Sequence, residues 1–289
     1  MIVDLMNLTT SDGITLDGAF FAPAKDTSPN GPADAVLVIH GSMGNFYSPA
    51  TKEMAKDLSD AGYACLALNT TAHDTVYRNR SNGQLCGLAF EILDRSRIDL
   101  RAGIDYLSAL GYHHIALLGH SMGAVRVAYY AATEDDDRVT AVVSLSPVRL
   151  SYSYYMDSKD ADEFRSIVEQ ADQLEAENKA QDLMTVGFPI AQHFSAAAYL
   201  DKHGPSERYN LVDLAPKIKV PVIAISGSLE THTRLKDIAR DMVQAAVNSP
   251  RAEYVIIEGG DHSLNNCKQD ASARVLNWLG SLTPQPVKV

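Results

Sequence analysis

The stretch LLGHSMGAVRVAYY, Leu117–Tyr130, closes an apolar run on Gly119-His120-Ser121-Met122-Gly123 and then takes up helical spacing. Two glycines around a serine make either an ordinary turn or the sharp strand-to-helix bend that holds a nucleophile in the open. With Gly and Ser each about 7% of residues, a chance G-x-S-x-G somewhere in a chain of this length is about a one-in-ten event. The spacing alone therefore decides nothing. Its setting says more: HIALLGH (114–120) reads as a buried strand and 123–133 as a helix, the two flanks that such a bend requires.

Outward from that point the same alternation repeats. AVLVIH (35–40), YACLALN (63–69), VTAVVSLS (139–146), VPVIAISG (220–227) and EYVIIEGG (253–260) are Val-, Ile- and Leu-rich runs ending in small or turn residues. Amphipathic stretches at 48–61, 94–110, 234–248 and 268–281 lie between or beyond them. Strand–helix alternation predicts an α/β fold, with a mostly parallel central sheet flanked by helices on both faces. Segments 2–9 and 14–22 predict an antiparallel hairpin leading into it. From Pro147 to about Tyr209 the rhythm breaks. No strand signal is present there, but Phe164, Ile167, Val168, Ala171 and Leu174 fall at helical spacing within a charged helix expected over 159–184. Nine acids and three bases between Asp157 and Asp182 make a solvated face of net charge −6. The expected organisation is a core of 1–146 and 210–289, with 147–209 inserted before the penultimate strand as a helical cap.

Composition bounds the function. Hydrophobic content of 46% and charged content of 21% suit a globular protein with a substantial core, and 289 residues suffice for one large domain. A formal charge of −11 argues against nucleic acid, which requires clustered Lys and Arg. The first residues lack the basic flank and apolar core of a signal peptide, and nothing approaches 18 consecutive apolar residues, so no membrane span is expected. Cys65, Cys86 and Cys267 are far apart and odd in number, which fits reduced thiols and a cytoplasmic location. The nine histidines show no metal-ligand spacing, and neither G-x-x-x-x-G-K-[ST] nor G-x-G-x-x-G occurs. No metal and no cofactor are expected.

A serine in such a bend needs a base, a group to orient that base, and donors for an oxyanion. His262, in EGGDHSLNN, follows the last strand; Glu230, in ISGSLE, follows the penultimate one; His40-Gly41-Ser42-Met43-Gly44 ends the first core strand. At these residues the chain resembles the α/β-hydrolase family over most of its length, through HGSMG (40–44), GHSMG (119–123), KIKVPVIAISGSLE (217–230) and GGDHSL (259–264). The resemblance implies Ser121 as nucleophile, His262 as general base and then acid, and Glu230 as the residue that orients the imidazole. It further implies an oxyanion hole from the backbone amides of Ser42 and Met122. The chain departs from the pattern in two places. Glu230 stands where the family more often has Asp, and Asn69–Asp74 occupies a place where many relatives carry an arginine-and-glycine turn.

Other residues have both a structural and a functional reading. Asp261 adjoins His262, and consecutive loop side chains seldom face one another, which favours Glu230 as the acid. His40 and His120 are expected to buttress the site. His73, beside Asp74, either lines the pocket or caps a turn. Tyr154 and Tyr155, in SYSYYM (151–156), are expected to form an apolar pocket wall beneath the insertion. The implied activity is hydrolysis of a small-molecule carboxylic ester through an acyl-enzyme, in a monomer or a homo-oligomer. Thioester, lactone, amide and carbon–carbon hydrolysis and acyl transfer use the same triad, and a non-catalytic ligand receptor is the alternative of a different class.

Overall fold

The computed structural model describes residues 3–25 and 27–283; the remaining residues of the two expected core segments lie outside the described ones. The strands, in chain order, are β1 (Asp4–Thr9), β2 (Thr15–Phe21), β3 (Ala35–Ile39), β4 (Ala64–Leu68), β5 (Tyr77–Arg78), β6 (Leu85–Cys86), β7 (Ile115–His120), β8 (Val139–Leu145), β9 (Leu183–Val186), β10 (Gln192–Ser195), β11 (Val222–Gly227) and β12 (Ala252–Ile257). Eight of these form one sheet in the order β1-β2-β4-β3-β7-β8-β11-β12. β1 pairs with β2, and β2 with β4, in antiparallel fashion; every later pairing is parallel. The sheet is thus mostly parallel, as the alternation predicts.

The core strands β3, β4 and β7 are buried on both faces because helices cover both. Side chains of even and odd number point to opposite sides. Leu37 and Ile39 join Leu100 and Ile104 of α2 (Ser96–Ala109), Val125 of α3 (Met122–Thr133) and Ile238 of α8 (Ile238–Ala245) in one apolar cluster. Val36 and Val38 join Met54 and Leu58 of α1 (Pro49–Asp60) and Val275 and Leu279 of α9 (Lys268–Gly280) in the other. Full burial of each such side chain stabilises the fold by about 1.5–3 kcal/mol. The carboxyl ends of β3, β7, β11 and β12 consequently meet at one edge, where ligands of parallel α/β sheets bind.

Between β8 and α7 (Leu211–Leu214) the chain leaves the sheet and makes α4 (Tyr152–Met156), α5 (Ala161–Ala176), the antiparallel ribbon β9–β10, and α6 (Ala196–His203). Phe164, Ile167, Val168 and Ala171 of α5 bury against Met184, Phe188, Phe194 and Tyr199 in a third apolar cluster. Two expectations are corrected here. The charged helix spans 161–176 rather than 159–184, because Asn178 takes a left-handed conformation (φ 60°) that ends it. The segment also contains a ribbon where no strand was expected: LMTV and QHFS are each only four residues long, too short for a period-2 pattern to stand out. Among the described residues no helix is long and apolar enough to cross a membrane.

Candidate active site

Ser121 sits at the bend between β7 and α3 with φ 57° and ψ −118°, a conformation that costs a non-glycine residue about 1–3 kcal/mol. The flanking glycines make the bend possible. A Cβ on Gly119 would overlap the Gly123 carbonyl, and one on Gly123 would overlap the Ile39 carbonyl at the end of β3. Gly41 approaches from the other side; a Cβ there would lie 2.9 Å from the Ser121 Cβ. Backbone therefore packs against backbone around a buried serine that is only 4% exposed.

The structure brings Ser121, His262 and Glu230 together. His262 Nε2 lies 3.0 Å from Ser121 Oγ, and His262 Nδ1 lies 3.3 Å from Glu230 Oε2. The buried Glu230 carboxylate is anchored on its other oxygen: Oε1 accepts from the Ser146 hydroxyl at 2.7 Å and from the Gly227 N–H at 3.0 Å. Asp261 faces elsewhere, accepting from the Asn265 N–H at 3.1 Å. The loops carrying base and acid run against each other: a Cβ on Gly227 would overlap the Gly260 carbonyl, which accepts from the Leu229 N–H at 3.0 Å, and the Gly259 N–H donates to the Ser228 hydroxyl at 2.8 Å.

Two further histidines hold the frame. His120 lies 2.8 Å from the His262 carbonyl through Nε2; burial, with the neighbouring His262, pulls its pKa down to about 4, so a neutral ring donates that bond. Burial, helped by the Arg126 charge, pulls His40 down to about 3. Its neutral ring accepts from the Thr70 N–H at 3.1 Å through Nε2 and donates to the Gly41 carbonyl at 2.8 Å through Nδ1. Ser42 and Met122 stand on the two segments that converge at Ser121. Among the loop and turn hydrogen bonds of the described residues, neither amide has an acceptor. Met122 also opens the 12-residue α3, whose N-terminus favours negative charge.

His73 lies beside this frame. Its ring stacks on Tyr77 (3.9 Å between centroids) and its Nδ1 lies 2.9 Å from Asp74 Oδ2, while the Asp74 N–H donates to the Gly44 carbonyl. Tyr154 is part-buried, with the Arg149 guanidinium 3.9 Å above its ring. Tyr155 corrects the expectation of a pocket wall. It is fully buried among Phe164, Phe188 and His203, and its hydroxyl donates to the Arg149 carbonyl, so it belongs to the core of the insertion.

Sequence reading missed Ser146, whose position at the end of β8 beside Pro147 was its one signal. It also missed a fully buried ionic group. Arg126 of α3 donates to Glu91 Oε1 at 2.8 Å and to the His40 carbonyl at 3.0 Å, and Lys202 of α6 donates to the Glu91 carbonyl at 2.9 Å. This group ties the insertion to the loop that carries Ser42. Gln192 of β10 adds a contact from its side-chain amide to the Met43 sulfur. No group of three or more His, Cys, Asp or Glu side chains able to hold a metal occurs among the described residues.

A family model described as alpha/beta hydrolase fold matches residues 34–188, over half of the chain. Solved structures resemble it along nearly their whole length. Alpha/beta hydrolase GrgF from Penicillium sp. sh18 is 16% identical with a TM-score of 0.71, covering 96% of this chain and 98% of that one. Est1E from Butyrivibrio proteoclasticus is 19% identical with a TM-score of 0.65, covering 95% and 97%. The esterase Pf2001 of Pyrococcus furiosus is 16% identical with a TM-score of 0.62, covering 96% and 91%. No curated protein matches the sequence.

Proposed function

Because the chain belongs to the alpha/beta-hydrolase family, we propose that it is a serine hydrolase that cleaves a small-molecule carboxylic ester through an acyl-enzyme. The observation that carries this reading is the continuous contact from Ser121 Oγ through His262 to Glu230, at 3.0 and 3.3 Å. His262 Nε2 takes the hydroxyl proton as Ser121 Oγ attacks the ester carbonyl, and Glu230 stabilises the imidazolium that forms. The tetrahedral oxyanion is held by the Ser42 and Met122 N–H groups and by the N-terminus of α3. The imidazolium then protonates the leaving alcohol, and the acyl group remains on Ser121. Water, deprotonated by His262, attacks the acyl-enzyme; collapse of the second intermediate releases the acid and returns the proton to Ser121. The fixed donors act at the developing charge in both halves, which is where binding energy raises rate rather than affinity.

The segment 147–209 serves as a cap in this proposal, fixed to the oxyanion loop by the Lys202–Glu91–Arg126 group, and it selects substrate while the triad performs the chemistry. The name esterase given to the P. furiosus protein and to a Rhodothermus marinus domain supports the ester reading. A fluorophosphonate probe tests the proposal: it should label the native protein at Ser121 and leave Ser121→Ala unlabelled. Absence of labelling, together with no turnover of p-nitrophenyl esters, thioesters or lactones, would move the protein to the class of ligand receptors on a hydrolase scaffold.

A further inference from the structure

Arg234 lies four residues beyond Glu230, in the loop between β11 and α8 at the carboxyl edge of the sheet. That loop is clamped between the core and the insertion. The Arg234 carbonyl accepts from the Arg149 N–H at 2.8 Å, and the adjacent Thr233 hydroxyl donates to Asp160 at 2.7 Å. Arg234 is only 6% exposed. Yet no hydrogen bond or ion pair of its guanidinium occurs among the described residues, and its Nε is shut off from solvent without a partner. Every other arginine buried to this extent has a carboxylate: Arg126 has Glu91, and Arg149 has Asp241. Glu230 is the acid whose charge bears on Arg234, but it lies beyond ion-pair reach and its oxygens already serve Ser146, Gly227 and His262.

A second unsatisfied group lies within reach of the Arg234 charge. His203, at the end of α6 and 3% exposed, has an Nδ1 without partner and packs on Tyr155. Burial above all, and then the charges of Lys202 and Arg234, keep that imidazole neutral. A buried cation without a counter-ion is unfavourable, and buried polar groups are otherwise almost always satisfied. An anion brought from outside would supply the missing partner. One unpaired guanidinium, whose charge reaches a neutral imidazole, matches a single negative charge in a planar fork, which describes a carboxylate better than a phosphate dianion.

We propose that Arg234, assisted by His203, anchors a carboxylate of the substrate, so that the preferred esters carry a negative charge on the acyl chain or on the alcohol. This deepens the esterase reading and rests on it. The test compares matched pairs at pH 7: mono-p-nitrophenyl adipate against p-nitrophenyl hexanoate for the acyl side, and 3-carboxyphenyl hexanoate against phenyl hexanoate for the alcohol side. In at least one pair the charged ester should have a kcat/KM about ten- to a hundredfold higher, the worth of a charge-assisted contact. Arg234→Gln should abolish that ratio, and Arg234→Lys should keep part of it. Because an unpartnered guanidinium costs stability, Arg234→Met should raise the Tm. Equal rates within both pairs, or an equal loss on both members in Arg234→Gln with a lowered Tm, would overturn the proposal and leave Arg234 a packing residue. If the fluorophosphonate fails to label and no ester turns over, the esterase reading has failed, and calorimetry with adipate decides the anchor separately. Heat of binding that Arg234→Gln abolishes supports the anchor; no binding to the native protein refutes it.

Discussion

Replacing Glu230 by glutamine changes one atom at the centre of the site, and the surroundings dictate the consequence. Oε1 accepts two hydrogen bonds, from the Ser146 hydroxyl and the Gly227 N–H, and Oε2 faces His262 Nδ1. An amide has one oxygen to offer. With its NH2 group turned towards Gly227, two N–H donors would oppose each other in a buried place, at a cost of about 1–3 kcal/mol. The amide oxygen therefore stays on Gly227, and the NH2 group points at His262. It can be accepted there only if Nδ1 carries no proton. That forces the proton onto Nε2, which then donates to Ser121 Oγ and can no longer take its proton. A forced tautomer of this kind lowers kcat by about 10⁴-fold in a triad. Initial rates on a p-nitrophenyl ester, with fluorophosphonate labelling as a measure of nucleophile reactivity, should both fall, whereas Asp261→Asn should change either by less than about tenfold. Glu230→Gln retaining more than a tenth of native activity, or a larger loss in Asp261→Asn, would refute the argument and the choice of acid.

Ser121→Ala should lower kcat on the order of 10⁴-fold or more; alanine keeps the Cβ and with it the strained backbone at φ 57°, so its Tm should stay close to that of the native protein. Gly41→Ala pushes a methyl to 2.9 Å from the Ser121 Cβ, and activity should fall at least tenfold with far-UV circular dichroism unchanged. Glu91→Gln leaves Arg126 and Lys202 buried without a counter-charge, and urea unfolding at pH 7 should show a loss of about 3–5 kcal/mol. Burial raises the Glu91 pKa, but the Arg126 and Lys202 charges outweigh it and hold the carboxyl below its usual value. Its stabilising contribution is therefore complete above the unfolded-state pKa and disappears as pH falls through the folded one, so the gap between Glu91→Gln and the native protein should narrow on acidification.

The parts legible in the sequence are those with local causes. HGSMG, GHSMG and the glycines before His262 mark strand ends where backbone must approach backbone, and a missing Cβ is visible in the sequence. Alternating apolar runs likewise give the sheet. Tyr155 was misread because an aromatic residue near a site looks the same whether its ring faces substrate or the core of an insertion. The start of α8 at Ile238 rather than at 234 depends on the left-handed Asp237 (φ 62°), which has no glycine or asparagine to announce it. The ionic group of Glu91, Arg126 and Lys202 joins residues up to 111 apart along the chain, and no periodicity encodes it. Arg234 was overlooked for the same reason: its isolation is a property of what surrounds it in space.

The touching backbones of Gly227 and Gly260 have a mechanical consequence. Glu230 hangs from the first loop and His262 from the second, each within three residues of the point of contact. Hydrogen bonds from the Leu229 N–H to the Gly260 carbonyl and from the Gly259 N–H to the Ser228 hydroxyl reinforce that contact, so displacement of either loop against the sheet carries its neighbour, and the acid–base separation varies less than the position of the pair. The bond from His120 to the His262 carbonyl extends the linkage to the residue preceding Ser121. Ser121, His262 and Glu230 are thus tied into one frame at the sheet edge by contacts among the loops that carry them.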